Sequence, residues 1–325
     1  MEIWPHPLAP ARGPIQAKRL TGVVEGMGAH GPGVHLLAAS NLVTPDTLAG
    51  QTLFLLSNQP RKPTEPTAGV TPLGTGVSGS VWVRERFTIH QPLAADDPFL
   101  ATGVAVGRET RRERRYGITS SRTYSSTGHV VATNQTVGLL SYQRIPGAED
   151  SVDGSGIANT GGVGVDREAA AHNPHLAALS QLRPGDQFGG QALTLSWAMM
   201  KARDTDEPAN PIHSDLQMAK AAGLDRPIAG GSHVLAFALD PLIATLGATA
   251  LCHGSMFDVR WRAPVRADAT ITPLATVRAP GEHRPGHSQQ SDTVLIDLEV
   301  KVEDAQTTGP VVAMTGTLSI PILVD

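Results

Sequence analysis

The sequence predicts an α+β protein in which a helix followed by antiparallel strands occurs twice along the chain. Two observations support this prediction. A strand, a proline, a turn with an aspartate and a second strand recur, with Pro92 and Asp96 in the first half and Pro264 and Asp268 in the second. Helical patterns also precede the strands in each half, which is typical of a sheet wrapped on a helix. A weak repeat of this kind indicates two halves built on one plan.

The composition is that of a core-forming protein. Of the 325 residues, 40% are hydrophobic and 17% are charged, which argues against disorder. The net charge of −4 offers no basic field for nucleic acid, and the single cysteine, Cys252, cannot form an intramolecular disulfide. No apolar run reaches membrane-spanning length, and the N-terminus lacks the pattern of a secretory signal. We therefore expect a cytoplasmic protein without a membrane partner.

The first half is expected to begin after an extended arm. Prolines recur through residues 1–20 and oppose helix formation, and the glycine-rich residues 22–33 predict a loop. Thr44 is a suitable N-cap and Pro45 a suitable first helical residue, so a helix should run from there to about residue 58. Strand patterns then follow at 81–89, 99–109, 118–126 and 129–142.

A change in composition divides the chain. Residues 146–180 begin with a small, polar and glycine-rich stretch, which predicts a linker between a first half at 21–145 and a second half at 181–325. In the second half, Ser196 is a candidate helix cap, and the apolar run 234–246 predicts a buried helix. Strand patterns of this half occur at 191–195, 255–261, 269–277, 293–303 and 311–321.

The most informative stretch of the second half is residues 210–233. Its Asn-Pro-Ile-His run places His213 at a corner between a loop and a short helical pattern, which Gly223 is placed to end. Gly230 and Gly231 then open the buried helix, whose first amides have no partner within the helix. A base and a pocket of amide donors are the parts that proton chemistry beside a thioester carbonyl requires.

The pattern NPIHxDxxxAxxxGxxRPIxxG, from Asn210 to Gly231, resembles the signature of MaoC-like (R)-specific enoyl-CoA hydratases and 3-hydroxyacyl-thioester dehydratases. The resemblance implies a hot-dog fold, and the two halves resemble the double hot-dog type of that family. The expected architecture is therefore two antiparallel sheets, each wrapped around a central helix. Only the second half carries the signature.

The resemblance gives His213 the role of general base, which histidine suits because it titrates near neutral pH. In the family, an aspartate five positions before this histidine acts with it on one water, and Pro208 occupies that position here. Asp206 is our preferred substitute, followed by Glu207 and then Asp204. The alternative is that all three carboxylates only solvate a surface loop.

Gly231 is the candidate oxyanion donor. Its amide should lie at the N-terminus of the buried helix, where the helix dipole favours developing negative charge. Asn210, Glu207, Gly230 and Ser232 are candidate supporting residues. Asn210 is expected to shape the corner, Gly230 to add flexibility, and Ser232 to cap or line the start of the helix.

The function implied by the resemblance is the reversible hydration or dehydration of a 2-enoyl or 3-hydroxyacyl thioester carried on CoA or on acyl carrier protein. No cofactor and no metal are expected. Because Pro208 replaces the family's aspartate, the alternatives are a catalytically weakened hot-dog protein that binds acyl thioesters or pairs with a partner, and an acyl thioesterase. We expect no nucleic-acid partner, and a homodimer is a candidate assembly.

Overall fold

The structure, a computed structural model, describes residues 5–28, 31–50, 81–140, 144–154, 163–203, 211–221, 224–278 and 293–322. Its strands form one large sheet in which the described neighbours pair in the antiparallel sense. Helices cover one face of this sheet, and the largest apolar core lies between the two layers. The predicted α+β class is confirmed.

The bounds of the elements follow the chain in order. The helices of the described residues are α1 (Ala17–Met27), α2 (Pro32–Ala39), α3 (Pro45–Ala49), α4 (Arg167–Ala170), α5 (Leu176–Leu179), α6 (Trp197–Arg203), α7 (Leu216–Ala221) and α8 (Gly231–Leu246), with a 3-10 helix at Pro211–His213. The strands are β1 (His6–Pro7), β2 (Ala11–Pro14), β3 (Val81–Ile89), β4 (Pro98–Arg111), β5 (Arg114–Ser125), β6 (Val130–Leu139), β7 (Ser151–Gly154), β8 (Gln187–Gly189), β9 (Leu193–Leu195), β10 (Ser255–Trp261), β11 (Ala269–Val277), β12 (Thr293–Glu303) and β13 (Val311–Pro321).

The two halves of the chain join edge to edge at the centre of the sheet. The strand order is β1-β4-β5-β6-β3-β10-β13-β12-β11-β8, so strands of the first half lie on one side and strands of the second half on the other. β3 pairs with β10 from Ser255 opposite Ile89 to Arg260 opposite Arg84. At the middle of this seam the rings of Phe87 and Phe257 stack with their centroids 4.3 Å apart, and both side chains are fully buried.

Helix α8 is the central helix of the second half. Its apolar side chains are buried on nearly every face, and α2 and α3 of the first half pack against it. Burial raises the pKa of Asp240 in this helix to about 6, against the opposing effect of the amides that donate to it. One of these is the amide of Val34, at 2.8 Å, so the Asp240 side chain satisfies a free donor at the start of α2.

The internal repeat is visible in the hydrogen bonds. The amide of Val43 donates to the carbonyl of Leu93 at 2.8 Å, and the amide of Ala229 donates to that of Val265 at 2.7 Å. Two residues after each of these amides comes the first residue of a helix, Pro45 in α3 and Gly231 in α8. The two helix starts therefore occupy equivalent places in the two halves.

The turns of the repeat agree with this alignment. The aspartates that recur after the prolines share a left-handed backbone, with φ of 67° at Asp96 and 66° at Asp268. The amide of each donates to a carbonyl at the end of the edge strands of its own half, Ile15 for Asp96 and Leu195 for Asp268. The same alignment places Ile89 of β3 at the position of Trp261 in β10.

The N-terminal segment differs from the expected arm. Within residues 1–20, β1 and β2 pair with β4, and α1 begins at Ala17. Prolines are tolerated in edge strands because such positions need not donate to a neighbour, so Pro7 and Pro14 do not prevent pairing. The glycine-rich residues 22–33 also do not form one loop, because buried side chains of α1, including Val23 and Met27, override the low helical propensity of glycine.

Other boundaries follow the sequence closely. The strand predictions in both halves correspond to observed strands, although 191–195 is replaced by the shorter β9 with β8 before it. The helix expected from Pro45 begins there, and its continuation beyond residue 50 lies outside the described residues. The predicted linker contains ordered elements, since β7 pairs with β4, and Asp166 both caps α4 and contacts His90 Nδ1 at 2.5 Å.

Within the described ranges, no helix has the length and apolar character that crossing a bilayer requires.

The seam between the halves should carry a large share of the stability. Phe257→Ala removes a fully buried ring from the stacked pair and should lower the free energy of unfolding by about 3–5 kcal/mol. Urea denaturation followed by circular dichroism measures this loss. Leu36→Ala on α2, where the side chain is 44% exposed, is the matched control and should change stability by less than about 1 kcal/mol. Equal losses for the two variants would contradict a stabilising seam.

Candidate active site

His213 lies at the end of the 3-10 helix and faces the start of α8. Its Nδ1 donates to the carbonyl of Ile228 at 2.7 Å. Because a carbonyl oxygen can only accept, the neutral ring has its proton on Nδ1, and Nε2 is the basic nitrogen. A Cβ placed on Gly230 would lie 3.6 Å from Nε2, so the basic nitrogen is directed at the pair Gly230 and Gly231, called the glycine step below.

The start of α8 presents amide donors. Gly230 is its N-cap residue, and the carbonyl of Gly230 accepts from the amides of His233 and Val234 at 3.0 and 3.2 Å. The amides of Gly231 and Ser232 donate to no acceptor in the described part of the chain. These donors and the positive end of the helix dipole therefore lie beside the basic nitrogen of His213.

Two tryptophans pack on Gly231. A Cβ at this position would lie 2.9 Å from Trp82 and 3.0 Å from Trp261, so any larger residue would force the indoles to shift, and glycine fits here without strain. The indole Nε1 of Trp261 donates to the Gly231 carbonyl at 3.1 Å, and the two ring systems lie 5.5 Å apart. Trp82 belongs to the first half, so both halves build the wall of the site.

A second histidine near the start of α8 has a structural role. His233 is 1% exposed, donates from Nε2 to the carbonyl of Gly26 in α1 at 2.8 Å, and stacks on Phe237. Burial, followed by the positive charge of Arg203, lowers the pKa of His233 to about 3 despite the bond to Gly26. This neutral ring fastens α1 to α8.

A buried ion pair joins α6 to α3. Arg203, the last residue of α6, contacts the carboxylate of Asp46, and both side chains are almost fully buried. A buried charge is stable only when it is paired and hydrogen-bonded. Asp46 immediately follows the equivalent of Gly231 in the repeat, so the first half uses this place for a structural ion pair.

The structure brings together four of the predicted site residues, namely His213, Gly230, Gly231 and Ser232. The predicted carboxylates Asp206, Glu207 and Asp204, with Pro208 and Asn210, lie outside the described residues. The identity of the carboxylate that acts with His213 therefore stays a prediction.

The sequence analysis missed Trp82 and Trp261. Trp261 precedes the recurring proline and could have been noticed there, because the aligned residue in the first half is Ile89. Trp82 gave no local signal, since its contact with Gly231 depends on the pairing of β3 with β10.

The single cysteine lies apart from this chemistry. Burial raises the pKa of Cys252 to about 12, so the thiol stays protonated at neutral pH and is a poor nucleophile. Among the residues with described positions, no group of three or more histidine, cysteine, aspartate or glutamate side chains is placed to hold a metal ion.

Comparison with known proteins finds a family match in this part of the chain. Residues 204–297 match the family described as the MaoC like domain. This MaoC-like match lies within the second half of the chain. The matched range includes His213, the glycine step and the whole of α8. No curated protein sequence matches the chain.

Solved structures with the same fold extend over both halves. A MaoC-like dehydratase is 16% identical with a TM-score of 0.65, and the match covers 98% of each chain. A conserved hypothetical protein from Mycobacterium tuberculosis, described as a double hot-dog fold, is 14% identical with a TM-score of 0.57 over 97% of this chain and 96% of its own. The predicted double hot-dog fold is confirmed.

A third structure is the peroxisomal multifunctional enzyme type 2 from Drosophila melanogaster. It is 15% identical with a TM-score of 0.59, and the match covers 96% of this chain but 48% of that one. This chain therefore spans about half the length of that multifunctional enzyme.

The buried neutral His233 should make the protein sensitive to acid. Its pKa is about 3 in the folded state and near 6.5 in the unfolded chain, so below pH 6.5 the unfolded state binds the proton and gains stability. Stability should fall with decreasing pH by up to about 1.4 kcal/mol per pH unit. His233→Gln keeps a donor for Gly26 and should lack this component. Urea denaturation at pH 5.0 and 7.5 tests it, and parallel pH dependences for both proteins would contradict the assignment.

Proposed function

We propose that this MaoC-like protein catalyses the reversible addition of water to a 2-enoyl thioester, giving a 3-hydroxyacyl thioester carried on CoA or on acyl carrier protein. The observation that supports the proposal is the position of the basic Nε2 of His213 beside the α8 amides that have no acceptor among the described residues. A base and an oxyanion donor that lie beside one another are what this reaction needs.

In the proposed mechanism the thioester carbonyl accepts a hydrogen bond from the amide of Gly231. His213 Nε2 removes a proton from a water molecule as the hydroxyl oxygen bonds to C3 of the acyl group. Negative charge moves to the carbonyl oxygen, where the amide and the helix dipole stabilise the enolate. The proton held on His213 Nε2 is then transferred to C2, which completes the addition of one water and regenerates the base. The steps use only water, protons and hydrogen bonds, so we propose no cofactor.

The bond between His213 Nδ1 and the Ile228 carbonyl supports the base role in two ways. It holds the ring against the strand-like segment that leads into α8, and it fixes the tautomer that leaves Nε2 able to accept a proton. When Nε2 becomes protonated, the same carbonyl stabilises the charged ring. A carboxylate that orients the water remains part of the proposal, with Asp206 preferred to Glu207 and Asp204.

We propose one site for each chain, in the second half. At the equivalent place in the first half the helix begins with Pro45, which has no amide hydrogen to donate. The next residue, Asp46, is committed to the buried ion pair with Arg203. These residues offer no counterpart of the Gly231 donor, so we assign the first half to shaping the acyl pocket.

Pro208 favours a second candidate function. Without an aspartate at that position, the protein would bind an acyl thioester at the Gly231 amide and turn it over slowly or not at all. We propose CoA or acyl carrier protein as the carrier and a reaction that can run in either direction. A homodimer remains our candidate assembly.

His213→Ala should reduce the hydration of crotonyl-CoA by about 10²–10⁴-fold, the usual contribution of a general base. Asp206→Asn should cost much of the same factor and Glu207→Gln much less. Because His213 and Asp206 would act on one water, the double variant should be little worse than His213→Ala. The loss of absorbance of the conjugated thioester measures each rate.

His35→Ala is the matched control, because His35 is an exposed histidine on α2 and its loss should leave turnover within a few-fold. A loss as large as that of His213→Ala would overturn the site assignment. Thioester binding without turnover, unaffected by His213→Ala, would favour the binding protein. If wild type turns over normally and Asp206→Asn does not change the rate, the carboxylate role belongs to another residue. Release of free CoA instead of a hydrated product would identify a thioesterase.

A further inference from the structure

The two indoles at Gly231 form a wall for which the proposed chemistry gives no role. Trp82 is 6% exposed, and its six-membered ring faces the position where a Cβ of Gly231 would lie, while Trp261 faces the same position and donates to the Gly231 carbonyl. Both side chains reach α8 from the sheet, Trp82 from β3 and Trp261 from β10. They fill the space between the start of α8 and the central seam of the sheet.

A β-bulge directs Trp82 into this space. β3 pairs with β6 through Trp82 opposite Gly138 and then Arg84 opposite Val137, so Val83 is an extra residue. In a regular strand, Trp82 and Glu85 would lie on opposite faces, because side chains alternate. Here both point to the helix layer, since Trp82 meets Gly231 and Glu85 accepts from Asn134, which also donates to Ala49 of α3. Bulges next to active sites commonly redirect a side chain in this way.

Among the described residues, the aromatic wall lies beside the glycine step and has no equivalent at the matching place in the first half. In the repeat, Ile89 of β3 takes the place of Trp261, and Pro45 takes the place of Gly231. A role limited to packing α8 on the sheet would not require indoles at this end and a smaller aliphatic side chain at the other. The asymmetry associates the two tryptophans with the half that carries His213.

The position of the substrate relative to the indoles follows from the proposed function, on which this inference rests. With the carbonyl oxygen on the Gly231 amide and C3 within reach of a water on His213, the first carbons of the acyl chain lie against the glycine step. The indoles occupy the space on the sheet side of Gly231 where a Cβ would lie, 2.9 Å from Trp82 and 3.0 Å from Trp261. A chain that continues past C3 toward the sheet therefore meets an aromatic surface.

We infer that Trp82 and Trp261 set the acyl-chain specificity of the site and restrict it to short 2-enoyl groups such as crotonyl. Trp82 is the specificity-determining residue, because it reaches the site from the other half and makes no polar bond there. Trp261 is in addition a positioning residue, since its indole N–H fixes the Gly231 carbonyl and thereby the peptide that continues into Ser232.

The test compares crotonyl-CoA with trans-2-decenoyl-CoA as substrates of the full-length protein. Wild type should prefer crotonyl-CoA in kcat/KM. Trp82→Ala and the milder Trp82→Leu open space at the wall, so the decenoyl-to-crotonyl ratio of kcat/KM should rise at least about tenfold, the lower end of what one methylene contributes in an apolar pocket. Trp261→Phe removes the indole N–H and should lower kcat for both substrates, with little change in their ratio.

Trp197→Ala is the matched control, because Trp197 is a tryptophan of α6 that is 36% exposed. It should leave the ratio unchanged, and thermal unfolding shows whether each variant is folded. A wild type that hydrates both substrates equally, or folded Trp82 variants with an unchanged ratio, would overturn the inference.

Binding separates this inference from the proposed function. Equilibrium binding of butyryl-CoA and decanoyl-CoA, followed by quenching of tryptophan fluorescence, reports chain preference without turnover. If no enoyl-CoA is hydrated but Trp82→Leu shifts binding toward decanoyl-CoA, the hydratase proposal fails and the specificity role stands. If wild type hydrates crotonyl-CoA while neither ratio responds to Trp82, the specificity role fails and the hydratase stands. Failure of both substrates to react and of both analogues to bind would overturn both.

Discussion

The pairing of β3 with β10 is the interaction on which the rest of the structure depends. It turns two half-sheets into one surface, and the stacked rings of Phe87 and Phe257 make its centre part of the common core. Because the helices of both halves lie on the same face, the seam also brings first-half elements against α8. The contact of Trp82 with Gly231 exists only because the two strands are neighbours. The candidate site is thus a product of the seam, although its signature is local in sequence.

The start of α8 combines two requirements that usually oppose each other. The helix is buried from His233 onward, which removes most of it from water, yet amide donors must remain available for a substrate oxygen at the half-buried Gly231 and Ser232. The amides of His233 and Val234 donate to the Gly230 carbonyl. The amides of Gly231 and Ser232 have no acceptor within the described residues. Glycine at the first helical position lets the two indoles approach the backbone, which leaves little room for water on that side.

How much the sequence could predict depended on how local each signal was. Strand content and the buried helix follow from composition and apolar runs, and β3, β10, β11, β12 and β13 begin and end where the patterns indicated. The corner that bears His213 and the glycine step form one short motif, so both could also be predicted from the sequence. The prediction of an unpaired arm over residues 1–20 was wrong, because the pairing of β1 and β2 with β4 depends on residues about a hundred positions away in the chain.

The aromatic wall was beyond sequence reasoning for a related reason. The bulge at Val83 changes the face on which Trp82 lies, and strict alternation would have placed that side chain outside the core. The carboxylate is a different case, because the sequence offers three acids shortly before Pro208 and no periodic pattern selects one of them.

The replacement of Gly231 by Pro45 at the equivalent helix start has a consequence for how such a protein diverges. In an assembly of two identical subunits, every substitution appears at both ends of the shared sheet, so a proline that benefits one end would also remove a donor at the other. Covalent fusion of the halves releases that symmetry constraint. Each end can then accumulate substitutions independently, and one site of an ancestral pair becomes free to specialise as support for the other. The two ends of this sheet, one with proline and isoleucine and the other with glycine and tryptophan, differ in the way that such freedom allows.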